Sequence, residues 1–367
     1  MDILNLDDYF KQDLVSNYHD RLKELLDEFK RGHYPNVLSK SSDLRAETDL
    51  DNEMREKLRM VEAIAHSEIG EVKAATSIIS ELFNTSNIDN MLLGELAYMC
   101  DFKLARRILS TAVNQMENDD TTDRLTLARG YLVLAETEEN LEKFVRAIKY
   151  FKKGLSYFQT DDSTDQYMIL YLHFKIGMMY SMQNEPEQSL AYHSYVLNNA
   201  GETNVGLKIN SLVTIAKTYG SNNDNEKAYP YLENALNLLQ GSEQEQTATH
   251  AEALTEMAYY HFYKSALQQA VPYYREAVAI YEKLSQTPHR KLGMIDMQYA
   301  YCLEYMEEND ISQAGNTYEK AVARLEKTND RELLENALGD VIAFFDRTGQ
   351  EKKKQQYEDR FVKLTNA

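Results

Sequence analysis

Side chains that commonly carry out chemistry in proteins are few in this sequence, and they lie far apart. The 367 residues contain no glycine-rich phosphate-binding loop, no G-x-S-x-G motif and no H-E-x-x-H motif, which are signatures of nucleotide, acyl-transfer and zinc sites. Of the eight histidines, His173 and His193 fall at positions that we expect to be packed between helices, and His261 falls at a position that is only partly buried. We therefore predict no catalytic residue, no metal site and no cofactor.

The two cysteines, Cys100 and Cys302, are far apart in the sequence, and both fall in segments with helical periodicity. A pair so placed does not indicate a structural disulfide, and a reducing compartment is the simplest expectation. The N-terminal residues contain neither the basic stretch nor the apolar run of a signal peptide, and no later segment is apolar enough to span a bilayer. We therefore expect a cytoplasmic protein.

The charge of the chain restricts its partners. Fifty-nine acidic and 40 basic residues give a formal net charge of -19. Because nucleic-acid binding requires clustered lysine and arginine against the phosphate backbone, this balance argues against a nucleic-acid surface. It is compatible with binding to other proteins, or to a basic or neutral peptide.

A repeated sequence motif indicates which helices must position any functional side chain. Ala147 opens A-I-K-Y-F-K-K-G-L, Ala228 opens A-Y-P-Y-L-E-N-A-L and Ala270 opens A-V-P-Y-Y-R-E-A-V, with weaker copies from Ser189 and Ala314. These five anchor positions are 42, 39, 42 and 44 residues apart. A period of this length indicates stacked pairs of antiparallel helices.

The residues around each anchor follow a fixed pattern. A small or medium side chain lies twelve positions earlier, at Ala135, Gly177, Ala216, Ala258 and Cys302. A large one lies four positions later, at Phe151, His193, Leu232, Tyr274 and Tyr318. Small residues let two helices approach closely, and large ones fill the space between successive pairs. The pattern resembles the tetratricopeptide repeat (TPR), although that repeat has about 34 residues.

The resemblance implies an all-α fold, a right-handed superhelical solenoid of TPR-like antiparallel helix pairs. We count about nine pairs, the last at residues 330–347 and 350–365. The polar loop at residues 118–123 is the best candidate boundary. We predict an N-terminal helical region at 1–120, made of degenerate repeats or a separate bundle, and a TPR-like repeat domain with C-terminal capping helices at 121–367.

In such an array the first helix of each pair lines the concave face, and repeat positions two, five, nine and twelve point there. These positions combine aromatic and methionine side chains with isolated amide and charged groups, which suits an extended peptide. The predicted peptide-binding residues are Arg129, Tyr171, Phe174, Met178, Asn210, Val213, Lys217, Glu252, Tyr259, Phe262, Tyr299 and Asn336. The alternative is a solvated face, or one that holds the protein's own C-terminal helix.

Four stretches between about 141 and 284 carry a more specific resemblance: E-K-F-V-R-A-I-K-Y-F at 142–151, L-H-F-K-I-G-M-M-Y at 172–180, S-L-V-T-I-A-K-T-Y at 211–219 and E-K-A-Y-P-Y-L-E-N-A-L at 226–236. This segment resembles the Rap family and its relatives among the peptide-sensing TPR regulators of Gram-positive bacteria, the RRNPP group. The resemblance implies a cytoplasmic receptor for a short signalling peptide in quorum sensing, which controls a protein partner such as a response regulator. Asn210, Lys217 and Arg129 match the positions that grip the peptide in that family.

Three alternatives remain open at this point. One is a response-regulator phosphatase of the Rap type, the only enzymatic option, although the first 66 residues contain a single glutamine, Gln12. The second is a protein-assembly scaffold without a peptide switch. The third is a transcription regulator with a divergent DNA-binding N-terminus, although the first 65 residues lack a recognisable helix-turn-helix pattern. A homodimer is compatible with each of them.

Overall fold

The computed structural model describes residues 9–10, 18–159, 165–284 and 287–366. Within these ranges the chain forms eighteen α-helices and one short 3-10 helix, with no strand. This number agrees with the predicted nine helix pairs. Gln12, the single glutamine of the first 66 residues, lies outside the described residues.

The chain divides into two compact units, Met1–Asn184 and Glu185–Ala367. Unit 1 contains nine of the helices: α1 His19–Lys30, α2 Tyr34–Arg45, α3 Asn52–Glu68, α4 Val72–Thr85, α5 Asn90–Cys100, α6 Phe102–Glu117, α7 Arg124–Asn140, α8 Phe144–Phe158 and α9 Gln166–Met182. The loop at 118–123, predicted as a domain boundary, lies between α6 and α7 and therefore inside this unit. The division into 1–120 and 121–367 stays a prediction.

Unit 2 contains the other nine α-helices: α10 Pro186–Asn199, α11 Val205–Ser221, α12 Asn225–Leu239, α13 Ala248–Tyr263, α14 Leu267–Lys283, α15 His289–Tyr305, α16 Ile311–Leu325, α17 Arg331–Arg347 and α18 Glu351–Thr365. The 3-10 helix Glu202–Asn204 precedes α11. Along each unit, successive helices pack against one another. No helix in the described part of the chain is long and apolar enough to cross a membrane.

Three-residue turns join the helices of several pairs, at 141–143, 222–224, 264–266 and 348–350. The middle residue of each has a left-handed backbone, with φ of 57° at Glu142, 59° at Asn223, 56° at Ser265 and 70° at Gly349. The N–H of the third residue then reaches a carbonyl of the preceding helix, as from Lys143 to Glu138 at 2.8 Å. This arrangement satisfies carbonyls at the helix end and fixes the geometry of each pair.

The pattern of small and large residues around the anchors explains the packing of the helix pairs. Ala135, Ala216 and Ala258 are buried, as are the anchors Ala147 and Ala270. Large aromatic side chains fill the space between pairs, with Phe151, Tyr274 and Tyr318 buried. In unit 2 one apolar cluster runs continuously from α13 to α18. The sequence pattern therefore correctly predicts where helices approach each other closely.

One turn departs from this regularity. Between α15 and α16 the connection has five residues, 306–310, instead of three, and Asp310 N–H bonds to the carbonyl of Leu303 at 2.9 Å. Counting backwards from Ala314 therefore places α15 two residues out of register. The small residue of this repeat is Ala300, which lies as far before the end of α15 as Ala258 lies before the end of α13. Ala300 and Cys302 are both fully buried.

Candidate functional site

The side chains predicted to bind a peptide lie on the first helices of their pairs. In unit 1 they are Arg129 on α7 and Tyr171, Phe174 and Met178 on α9. In unit 2 they are Asn210, Val213 and Lys217 on α11, Glu252, Tyr259 and Phe262 on α13, Tyr299 on α15 and Asn336 on α17. We call the surface that these helices form within each unit its first-helix face.

In unit 1, hydrogen bonds and an ion pair connect α7 to α9 across the first-helix face. The hydroxyl of Tyr171 donates to Glu136 Oε1 at 2.8 Å, and Lys175 Nζ lies 2.7 Å from Glu139 Oε1. Burial raises the pKa of the Glu136 carboxyl, although Tyr171 and Lys175 act in the opposite direction. Arg129 is exposed on α7. The face is thus already braced by polar contacts between successive repeats.

In unit 2, a larger polar network links three first helices. Glu252 on α13 lies between two ammonium groups, with Lys217 Nζ of α11 at 3.5 Å and Lys291 Nζ of α15 at 2.7 Å. One turn earlier on α13, Thr249 Oγ1 donates to Asn210 Oδ1 of α11 at 2.8 Å. Burial raises the pKa of Glu252, but both lysines outweigh it and the net pKa is lowered. Glu252 is therefore an ionised group shared by two cations.

A second carboxyl, Glu256, follows Glu252 by one turn on α13. Burial raises its pKa to about 7, and the charge of Glu252 adds to this effect, while Lys217 and Lys291 oppose it. Tyr259 lies three residues further on, and burial together with Glu256 raises the pKa of its hydroxyl. Glu256 is thus divided between its neutral and ionised forms near neutral pH. We call Lys217, Glu252, Glu256 and Lys291 the polar centre.

Val213 does not lie on the open face. Its side chain is 2% exposed and packs in an apolar cluster with residues of α11, α12 and α13. The equivalent residues at repeat position five, Leu132 on α7 and Thr255 on α13, are also buried. Position five of these helices therefore points into the packing between helices, and Val213 is a core residue.

Tyr299 is also buried: counted back from Ala314 it falls at repeat position five, as Val213 does, and it packs between helices. Its hydroxyl accepts hydrogen bonds from Gln313 Nε2 at 2.9 Å and Arg275 Nε at 3.3 Å, on second helices of the unit. The residue equivalent to Tyr259 is Tyr301, which is 42% exposed and contacts Phe262 at 5.5 Å between ring centroids. Tyr301 therefore lies on the first-helix face, and Tyr299 does not.

The polar centre also contains residues that the choice of repeat positions two, five, nine and twelve did not include. Thr249, Glu252, Glu256 and Tyr259 are spaced by three or four residues, so they form one stripe along α13. A search for this helical stripe would have identified Thr249 and Glu256. Lys291 lies one turn before the position on α15 that corresponds to Glu252 on α13. This relation appears only once the register of α15 is corrected. Asn336 is exposed on α17.

The three histidines singled out from the sequence pack against other residues. Nδ1 of His173 donates to the carbonyl of Ile169 at 2.8 Å, and His193 is fully buried with Nδ1 3.3 Å from Ser211 Oγ. Burial lowers the pKa of His193 to about 4 and also lowers that of His173. His261 is half-buried and stacks on Tyr273. In the described ranges, no group of three or more histidine, cysteine or carboxylate side chains is arranged to hold a metal ion.

Comparisons with known proteins agree with this architecture. Residues 209–238, which are α11 and α12, match the tetratricopeptide repeat family. A search of curated proteins gives no match. Among solved structures, the apo form of RapI superposes with a TM-score of 0.57 at 15% identity, over 95% of this chain and 97% of RapI. The apo form of the quorum sensor NprR from B. thuringiensis gives 0.57 at 14% identity, over 94% and 98%.

A third solved structure, aspartyl phosphate phosphatase F from Bacillus subtilis, has a TM-score of 0.54 at 13% identity, over 95% of this chain and 94% of its own. At these identities the similarity concerns the fold. It confirms the predicted all-α, TPR-like array, and the predicted resemblance to the Rap-like proteins is confirmed as a resemblance of fold over nearly the whole chain.

Proposed function

We propose that this protein is a TPR-type regulator that binds a short signalling peptide on its first-helix face and thereby controls a protein partner. The observation that carries the proposal is the first-helix face of unit 2. It combines ionised and amide groups at Lys217, Glu252 and Asn210 with the aromatic side chains Tyr259 and Phe262. Such a mixture suits a peptide, because amides and charges can pair with its backbone and termini while aromatic rings accept its side chains.

The fold supports this proposal. NprR, whose fold the chain shares over nearly its full length, is a quorum sensor. Residues predicted to grip the peptide, Asn210 and Lys217, lie on the same helix, two turns apart, and both contact α13. The partner, such as a response regulator, and the cytoplasmic location follow from the resemblance and belong to the proposal.

A physical route from binding to regulation follows from the network itself. Contacts between successive first helices, such as Lys217–Glu252 and Glu252–Lys291, depend on the spacing of α11, α13 and α15. A peptide that takes part in these contacts favours one spacing of the helices over others. It would therefore shift the population between two arrangements of the repeats by its differential affinity for them.

Thermal unfolding tests the proposal. The purified protein is heated with and without the small-peptide fraction of its host's culture medium. A ligand at about 100 times its dissociation constant adds about 2.7 kcal/mol to the free energy of unfolding, so we expect a clear rise in the melting temperature. The stabilising fraction also supplies material from which the peptide can be isolated.

Matched variants make this test specific. Lys217→Gln removes a charge from the polar centre, whereas Lys264→Gln removes one from an exposed ion pair with Glu226 at the end of α13. We expect the first variant to lose most of the shift and the second to keep it. An unchanged melting temperature with a concentrated fraction would contradict peptide binding and would favour a scaffold without a peptide switch.

A further inference from the structure

The polar centre of unit 2 has more hydrogen-bond donors than its own residues use. An ammonium group has three N–H donors, and among the described residues Glu252 is the hydrogen-bond partner of both Lys217 and Lys291. The two lysine side chains remain 43% and 37% exposed. The 3.5 Å distance from Lys217 Nζ to Glu252 is also long for a charge-assisted hydrogen bond. Donors of both lysines are therefore available to a ligand.

The charge of this centre is opposite to that of the whole protein. Two ammonium groups share the single ionised carboxylate of Glu252, so the centre carries a net positive charge whenever Glu256 is neutral. The chain as a whole has a formal net charge of -19. A local excess of cations on a face of an acidic protein selects for an anionic group of the ligand.

We propose that the polar centre binds the C-terminal carboxylate of a linear peptide between the ammonium groups of Lys217 and Lys291, and that binding is accompanied by protonation of Glu256. The inference rests on the proposed function, which it deepens by naming the ligand group and its orientation. The carboxylate accepts N–H donors from both lysines, and Glu252 keeps its own contacts. The proton on Glu256 comes from water, and the neutral carboxyl removes a like charge from the neighbourhood of the ligand.

The surroundings of Glu256 support this coupling. The charged and titratable groups that act on Glu256, or on which it acts, come from four helices: Lys217 of α11, Glu252 and Tyr259 of α13, Tyr274 and Tyr281 of α14, and Lys291 of α15. Burial already raises the pKa of Glu256 to about 7. A further negative charge beside it raises the pKa again, so binding takes up a proton near neutral pH.

Two pools of degenerate heptapeptides test the inference. The pools have the same composition, but one ends in a free carboxylate and the other in an amide. Each is passed over the immobilised full-length protein, and retained peptides are quantified by mass spectrometry. We expect the free-carboxylate pool to be retained more strongly. Retention should rise up to about tenfold from pH 8 to pH 6, which is the ratio of protonated fractions for a carboxyl with a pKa of about 7.

Variants separate the two parts of the proposal. Lys217→Gln and Lys291→Gln should each reduce retention of the free-carboxylate pool to that of the amidated pool, whereas Lys264→Gln should leave it unchanged. Glu256→Gln resembles the protonated carboxyl, so it should hold the free-carboxylate pool equally well at both pH values.

Each outcome has one meaning. Equal retention of the two pools overturns the carboxylate subsite but leaves peptide binding standing. Preference for the free carboxylate without any dependence on pH overturns the role of Glu256. Retention of neither pool counts against both the subsite and the proposed function.

Discussion

At the scale of single residues, the informative features are two carboxyls shielded from water beside other charges, the half-buried Glu256 and the buried Asp296. Glu256 has a pKa raised to about 7 by burial and by Glu252, and Asp296, which is buried and 3.0 Å from Arg324, has a pKa raised by burial to about 6. Ionisation of either carboxyl costs more free energy in the folded protein than in the unfolded chain. Burial at these sites thus links folding to proton binding.

Stability should depend on pH through Glu256. Its folded pKa lies above the ordinary value, so the folded state binds more protons than the unfolded state between about pH 4.5 and 7. The free energy of unfolding therefore falls as pH rises through this interval, by on the order of 2–3 kcal/mol from this group alone. Glu256→Gln removes this component.

Chemical denaturation at a series of pH values measures the effect. The difference in unfolding free energy between Glu256→Gln and the parent should grow in favour of the variant from pH 4.5 to pH 7 and then stay constant. Glu276→Gln, at an exposed position of α14, serves as the control. A constant difference across the whole series would show that the carboxyl is not desolvated as described.

At the scale of helices, close approach depends on small residues at specific positions. A Cβ at Gly293 of α15 would lie 2.6 Å from Cδ2 and Cγ of Leu325 on α16, whereas a Cβ at Gly339 of α17 would meet nothing within 4 Å. Both glycines lie inside first helices. The two positions therefore separate the packing role of a glycine from its effect on backbone entropy.

Alanine substitution should act in opposite directions at these glycines. Gly293→Ala requires the Leu325 side chain or its helix to shift and should cost about 1–3 kcal/mol. Gly339→Ala should stabilise the protein by about 0.5–1 kcal/mol, since alanine has the higher helix propensity. Urea unfolding of both variants measures these changes. A loss of stability of similar size in both would contradict the difference in packing.

The helices of this protein could be predicted well from the sequence, while the site could be predicted only in part. The period and the buried alanines such as Ala216 and Ala258 specify helix pairs, because close packing tolerates few residue types. Val213 and Tyr299 were misplaced because repeat position five of these helices points into the packing between helices. Glu256 was missed because fixed repeat positions sample a helical face too sparsely.

At the scale of the whole molecule, charge is the dominant feature. The chain has 59 acidic and 40 basic residues, and the exposed ion pairs between repeats, such as Lys264–Glu226 and Arg290–Asp330, neutralise only some of the acids. The excess negative charge repels itself in the compact state. Added salt screens this repulsion, although it also weakens exposed ion pairs.

We expect the melting temperature at neutral pH to rise between about 0.01 M and 0.15 M sodium chloride. Over this interval the Debye length falls from about 30 Å to about 8 Å, so repulsion between distant acids is screened more than contacts between neighbouring charges. Differential scanning calorimetry measures the change. A fall in melting temperature would indicate that local ion pairs outweigh the net charge.

The five-residue connection between α15 and α16 has a consequence for how such chains diverge. Because Asp310 reaches back to Leu303, the two extra residues are accommodated without disturbing the helices on either side. Insertions can therefore accumulate at turns during evolution while each helix keeps the same residues facing inward. Homologues of this protein will be aligned correctly helix by helix, and residue counts across turns will mislead wherever a lineage has lengthened one of them.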